Sequence, residues 1–136
     1  MASAQNWRIK LYSLTTTWTL KPGKEKIAIT ALKRLAQQVK QQEEGTLIYL
    51  VHVPDMTQAS MPTPSNLEVV FYEAYRNKAA FCAHVKGPRF QEFVAKYGDL
   101  FLSTKGECAD PKSVGKPFST IEFLQRKAGF IRRSAL

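Results

Sequence analysis

The sequence predicts an α+β fold in the order β-α-β-β-α-β, one antiparallel sheet with its helices on one side, the ferredoxin-like arrangement. Three observations carry that expectation. Residues 13–21 alternate apolar and β-branched polar side chains, the period-two signature of a strand. Residues 24–43 place Ala28, Leu32, Leu35 and Val39 at helical spacing, which makes an amphipathic helix. Two near-continuous apolar runs, Thr46–Val53 and Leu67–Tyr75, then read as strands covered on both faces.

Each element has a local reason. Leu14, Trp18 and Leu20 are assigned to one face of the first strand and its threonines to the other. Pro22-Gly23 marks the turn into the first helix, since proline suits a helix entrance. Lys33, Arg34, Gln37, Gln38, Lys40 and Gln41 largely face away from the helix's apolar stripe, and Gly45 is the natural stop. Pro54 ends the second strand. Residues 54–66, rich in proline, methionine and small polar residues, are expected to form an exposed loop, mobile or functional, as a flap over a cavity entrance would be. Asn77 is the predicted cap of the next helix, whose Phe81, His84 and Val85 share a face. Gly87-Pro88 restarts it, with Phe90, Phe93, Val94 and Tyr97 as the second apolar stripe, and Gly98 stops it. Residues 103–117 read as irregular, Phe118–Lys127 as the last strand, and the basic tail 128–136 as frayed. Apolar strands on both faces imply that the open side of the sheet is covered, and a second copy is the simplest cover, since twofold dimers are the commonest oligomers.

Composition narrows the function classes. At 136 residues, with 44% hydrophobic and 23% charged residues, the chain reads as one domain, 1–136, large enough for a true core. No apolar run reaches the length of a membrane span, and the N-terminus lacks the apolar core of a secretory signal, so the expected location is cytoplasmic. Cys82 and Cys108 form no metal or disulfide pattern, and Cys82 is expected to be a plain, at least half-buried thiol. The net charge of +9 is scattered along the chain, unlike the clustered patch of a nucleic-acid binder. The fragment Lys127-Ala-Gly-Phe-Ile-Arg-Arg matches an RNA-recognition sheet only in part.

Residues 66–90 concentrate the candidate chemistry: Glu73, Tyr72, Tyr75 and His84 among aromatic residues. Seven residues of helix past the cap span about 10 Å, and the strand covers that distance back to the level of Glu73. A His84–Glu73 hydrogen bond is therefore expected, with the carboxylate orienting the imidazole. The pair serves as an acid–base site or as a structural tie between helix and sheet. Catalytic candidates are His84, Glu73 and Tyr75; substrate-binding candidates are Trp18, Tyr49, Phe71, Tyr72 and Phe90, because bound organic molecules need apolar walls with few polar groups. His52 reads as a strand-end cap or dimer contact, and Arg76 and Arg89 as solvated or anion-attracting.

Four segments carry a resemblance to a known family: Leu20-Lys-Pro-Gly-Lys-Glu, Glu44-Gly-Thr-Leu-Ile-Tyr-Leu-Val-His, Glu73-Ala-Tyr-Arg-Asn-Lys-Ala-Ala-Phe and Ala83-His-Val-Lys-Gly-Pro-Arg-Phe-Gln-Glu-Phe. Over residues 12–127 the chain resembles the antibiotic biosynthesis monooxygenases of the dimeric α+β barrel superfamily, which include quinol monooxygenase-like proteins. The resemblance implies a sheet-to-sheet homodimer and cofactor-independent oxidation of a phenolic or quinol-like aromatic substrate by molecular oxygen, or a related isomerisation. In such chemistry the protein supplies an apolar pocket, a base and groups that stabilise the anion. Haem-degrading relatives carry a histidine ligand at the position of Phe93, so no haem is expected here. No Gly-x-Gly-x-x-Gly fingerprint for a flavin or nicotinamide is present, so the expected cofactors are none. The segments 54–66 and 103–117 depart from the family pattern. Because fold does not settle function, a non-catalytic ligand-binding or stress-related protein is the competing class.

Overall fold

The computed structural model describes residues 10–102 and 119–132. Its strands are β1 (Tyr12–Leu20), β2 (Thr46–His52), β3 (Glu68–Tyr75), β4 (Phe101–Leu102) and β5 (Ser119–Leu124), and its helices are α1 (Glu25–Gln42), α2 (Lys78–Lys86) and α3 (Pro88–Tyr97). A single 3-10 turn, Gly98–Leu100, follows α3. All pairings are antiparallel, in the order β2-β3-β1, and β5 and β4 share the outer edge of β1. Strand β5 takes Ser13–Trp18 and β4 takes Thr19–Leu20. This is the expected ferredoxin-like α+β fold, with β4 an addition that a two-residue strand is too short to announce. The last strand stops at Leu124 rather than Lys127. The irregular stretch 103–117, Cys108 and the end of the tail lie outside the described residues.

Register decides which side chains face the helices, because directly opposed residues share a face. Trp18 opposes Val69, Thr16 opposes Phe71 and Leu14 opposes Glu73. On the other flank Tyr49 opposes Glu73 and Val51 opposes Phe71. The core under the helices is Leu20, Val69 and Phe71 from the sheet, Ala28, Leu32, Leu35 and Val39 from α1, and Phe93 from α3. The buried stripe of α1 is the one its spacing predicts, with Ala31 added. Thr16 departs from expectation: it lies on the face of Leu14 and Trp18, buried, with its hydroxyl donating to the Thr120 carbonyl at 2.6 Å. Strict alternation itself puts residue 16 on the face of residues 14 and 18, and pairing across the β1–β5 edge satisfies the polar group placed there. Val94 leaves its predicted stripe and is 44% exposed, whereas Phe93 and Tyr97 of α3 pack on the core.

The opposite face of the sheet carries Ile48, Leu50, Val70 and Tyr72, and no helix of the described chain covers it. Leu50, on that face, is about half exposed, so among the described residues the strand read as covered on both sides is covered on only one. The 54–66 segment is an exposed loop, as expected, with only Pro54 and Pro64 partly covered. No helix among the described residues is long and apolar enough to cross a membrane.

Candidate functional site

A cavity of about 290 Å³ opens between the sheet and the α2–α3 junction. Leu14, Thr16, Trp18 and Glu73 form its floor, Phe81, His84, Val85 and Phe90 its helical wall, and Ser119, Thr120 and Ile121 its outer edge. The wall owes its shape to a break in the helix. Gly87 caps α2 in an extended conformation and Pro88 opens α3; the proline lacks the N–H that would continue the first helix. The Asn77 side chain accepts the Ala80 N–H at 2.9 Å, the predicted cap. It sets the phase that turns Phe81, His84 and Val85 inward together.

His84 is buried and its ring sits among aromatics, with centroids at 5.4 Å from Tyr49, 5.7 Å from Tyr75 and 5.1 Å from Phe90. Its hydrogen-bond partner is not Glu73. Nδ1 lies 2.7 Å from the Oε1 of Glu43, a residue that caps the C-terminus of α1 and donates its own N–H to Val39. Glu73 is instead bound by the Tyr75 hydroxyl, which donates a hydrogen bond to its carboxylate. The rise along helix and strand brings His84 to the expected level of the sheet, but a third element, the α1 end, lies closer. The sequence does carry a signal for Glu43: it falls four residues after Val39 and so continues the buried stripe of α1 with an acid.

Close packing delivers Glu43 to the ring. A Cβ on Gly45 would come within 2.6 Å of the Ala80 Cβ, so only glycine lets the α1–β2 corner approach α2 this closely. Just beyond it, a bulge between Thr46 and Ile48 shifts the β2 register. The shift puts Tyr49, rather than Ile48, opposite Glu73 and behind the imidazole.

The site is electrostatically tense. Burial pushes the Glu73 carboxyl above its ordinary value, and this outweighs the Tyr75 hydrogen bond and the nearby His84, which act to lower it. Burial and the Glu73 charge push the Tyr75 and Tyr49 hydroxyls upward, so both are neutral donors at ordinary pH.

Of the predicted site residues, Trp18, Glu73, His84 and Phe90 line the cavity together. Tyr75 stands behind Glu73, and Tyr49 behind His84. Phe71 is fully buried core, its ring tilted against Trp18 at a centroid distance of 4.5 Å. Tyr72 is a correction: strand alternation sends it to the open face, opposite Thr15 and Leu50, so it cannot hold a ligand in this cavity. His52 is exposed near the strand end, its Nδ1 3.1 Å from the Val70 carbonyl. Phe93 is packed beneath Trp18 and carries no ligating atom. The 54–66 loop contributes nothing to the cavity; Val53, Pro54, Met56 and Asn66 border a separate depression against α1. Cys82 is a free, half-buried thiol, and no cluster of three ligating residues occurs among the described residues. Leu14, Thr16, Phe81, Val85 and the edge strand are lining residues that the sequence reading did not name.

The sequence model of the antibiotic biosynthesis monooxygenases matches residues 11–96, more than half of the chain. No curated protein matches significantly. Among solved structures, a Caulobacter crescentus CB15 protein provisionally assigned as an antibiotic biosynthesis monooxygenase superposes with a TM-score of 0.65 at 18% identity, covering 92% of this chain and 98% of that one. The protein PA3566 from Pseudomonas aeruginosa gives 0.64 at 20% identity, over 88% and 96%. The protein SO0527 from Shewanella oneidensis gives 0.63 at 18%, over 87% and 92%. At these identities the likeness establishes the fold.

Proposed function

The chain belongs to the antibiotic biosynthesis monooxygenase family, and we propose that it oxidises a small phenolic or quinol-like aromatic substrate with molecular oxygen, without a cofactor. The observation that carries this reading is a buried imidazole, His84, on the wall of a cavity that Trp18, Phe81 and Phe90 also line. A cavity of about 290 Å³ lies at the lower end of the roughly 300–1,000 Å³ typical of ligand sites, which suits one or two fused rings. Trp18 and Phe90 supply flat walls, and His84 removes a substrate proton as general base. The resulting anion is electron-rich enough to reduce oxygen. For an activated methylene the balance is one molecule of oxygen consumed per carbonyl formed. One oxygen atom stays on carbon, and the other leaves as water with both methylene hydrogens.

Glu73 and Tyr75 complete the reading. The raised carboxyl of Glu73 makes it a group that can hold a proton within the cavity, and the neutral Tyr75 hydroxyl fixes its orientation. On this reading the open sheet face is a homodimer interface. Ile48, Leu50, Val70 and Tyr72 support it as a mostly apolar surface that no helix among the described residues covers, and light scattering at micromolar concentration should report twice the chain mass.

The test is oxygen uptake by the purified protein, with no added cofactor, against a panel of hydroquinones and anthrones. A turned-over substrate whose oxidation falls by about two to four orders of magnitude in His84→Ala supports the reading. Tight binding of panel members with no oxygen consumption would assign the fold to ligand binding instead.

A further inference from the structure

Two carboxylates approach His84 from different elements, and the structure separates their roles. Glu73 rises from the sheet floor, buried, already occupied by the Tyr75 hydroxyl. Glu43 arrives from the end of α1, and its oxygen meets Nδ1 at 2.7 Å. Among the described residues that is the only hydrogen bond the ring makes to a side chain. The His84 side chain is 3% exposed, whereas that of Glu43 is 19% exposed. The far side of Glu43 opens on a second depression, bordered by Thr46, Ala80, Ala83 and Arg89. The Glu43 side chain is therefore partly open to solvent while one of its oxygens holds the ring. An ion pair formed there avoids the full desolvation cost of a sealed one.

Taking His84 as the base, we propose that Glu43, and not Glu73, is the positioning residue of the site: its carboxylate holds the imidazole as the Nδ1–H tautomer and so presents the Nε2 lone pair to the cavity. The chemistry requires this. A neutral imidazole has one nitrogen that donates and one that accepts, and a carboxylate can only accept. Once Glu43 claims Nδ1, the proton is there and Nε2 is the free base. When Nε2 takes the substrate proton, the imidazolium is paired with Glu43 at its other nitrogen, and no bond has to be rebuilt. The remaining ionisable groups packed on the ring, Glu73, Tyr49 and Tyr75, reach it without a hydrogen bond to Nδ1.

The experiment reads the tautomer first, because that needs no substrate. Protein labelled with nitrogen-15 in histidine is compared by NMR as wild type, Glu43→Ala, Glu43→Asp and Glu73→Gln, with His84→Ala used to assign the signal. The expected result is an Nδ1–H ring in the wild type and in Glu73→Gln, a shift of population to Nε2–H in Glu43→Ala, and partial recovery in Glu43→Asp. With a substrate from the oxygen screen, Glu43→Ala should lower kcat by roughly ten- to a hundredfold and leave KM within about twofold, less than outright loss of the base. Circular dichroism checks that each variant folds, and Glu43→Gln replaces Glu43→Ala if it does not. An unchanged Nδ1–H tautomer in folded Glu43→Ala, or its loss in Glu73→Gln, overturns the proposal even where His84 proves essential. A tautomer that follows Glu43 while no substrate is consumed supports the positioning role and sinks the monooxygenase reading alone.

Discussion

The helix-covered face of the sheet has two ends built on different terms. At one end Leu20, Val69 and Phe71 meet Ala28, Leu32, Leu35 and Phe93 in a sealed apolar cluster. At the other, the same strands present Leu14, Thr16 and Glu73 to His84, with a cavity between them. The closed end lies under α1 and α3, which pack on each other; the cavity end lies against the α2–α3 break. Burial stabilises an apolar cluster through the hydrophobic effect. It does not stabilise Glu73 and His84, since each must be desolvated and then partnered. One end contributes stability and the other costs it.

Substitutions on the two ends should therefore behave differently. The largest loss of stability is expected at the closed end, where Phe71 is fully buried. Phe71→Ala should cost about 3–5 kcal/mol in urea unfolding. An equal or smaller loss than at the cavity end would break the contrast.

His84→Ala should cost less stability, about 1–3 kcal/mol. The Glu43 carboxylate it strands is partly solvated rather than sealed. Its signature is the dissociation of effects, with turnover nearly abolished in a protein that still folds. A loss as large as that of Phe71→Ala would make the imidazole a structural tie first.

Glu73→Gln should reverse the sign. The fold raises the Glu73 carboxyl above its ordinary 4.5, so its protonated form is the one the folded state favours. That contribution is fully present below pH 4.5 and is lost as pH rises through the raised folded value. The uncharged glutamine escapes the loss. Melting temperatures of the two proteins should converge in acid, and the variant should be the more stable at neutral pH. A wild type that instead gains stability over the variant as pH rises would contradict the desolvated placement of Glu73.

Val94→Ala, on the exposed side of α3, should change stability by less than about 0.5 kcal/mol. A larger loss would mean that this valine is covered in solution, which native mass spectrometry would then trace to a second copy.

Much of the fold was legible because its causes are local. Alternation along 13–21, the stripe from Ala28 to Val39, the Asn77 cap and the Gly87-Pro88 break each act within a few residues through backbone preference and side-chain period. Each lies within a residue or two of its expected place. Where an expectation failed, the missing information lay outside the local run. Strict alternation already places Thr16 beside Leu14 and Trp18, and its burial is tolerated because β5 offers its hydroxyl a carbonyl. Val94 is exposed, with no described element packed over it.

The site divides along the same line. By itself the sequence determined that His84, Phe81 and Val85 share one helical face and that Glu73 and Tyr75 share one strand face, since both follow from a repeat along a single element. Only the tertiary structure decided which acid meets the imidazole. Glu43 and His84 are separated by 41 positions, and their contact depends on the close approach at Gly45 and on where α1 ends. The bulge between Thr46 and Ile48 likewise chose Tyr49 over Ile48 to back the ring. An inserted residue in one strand reverses the facing of everything after it, and whether it is accommodated depends on the partner strand rather than on the run of residues that contains it.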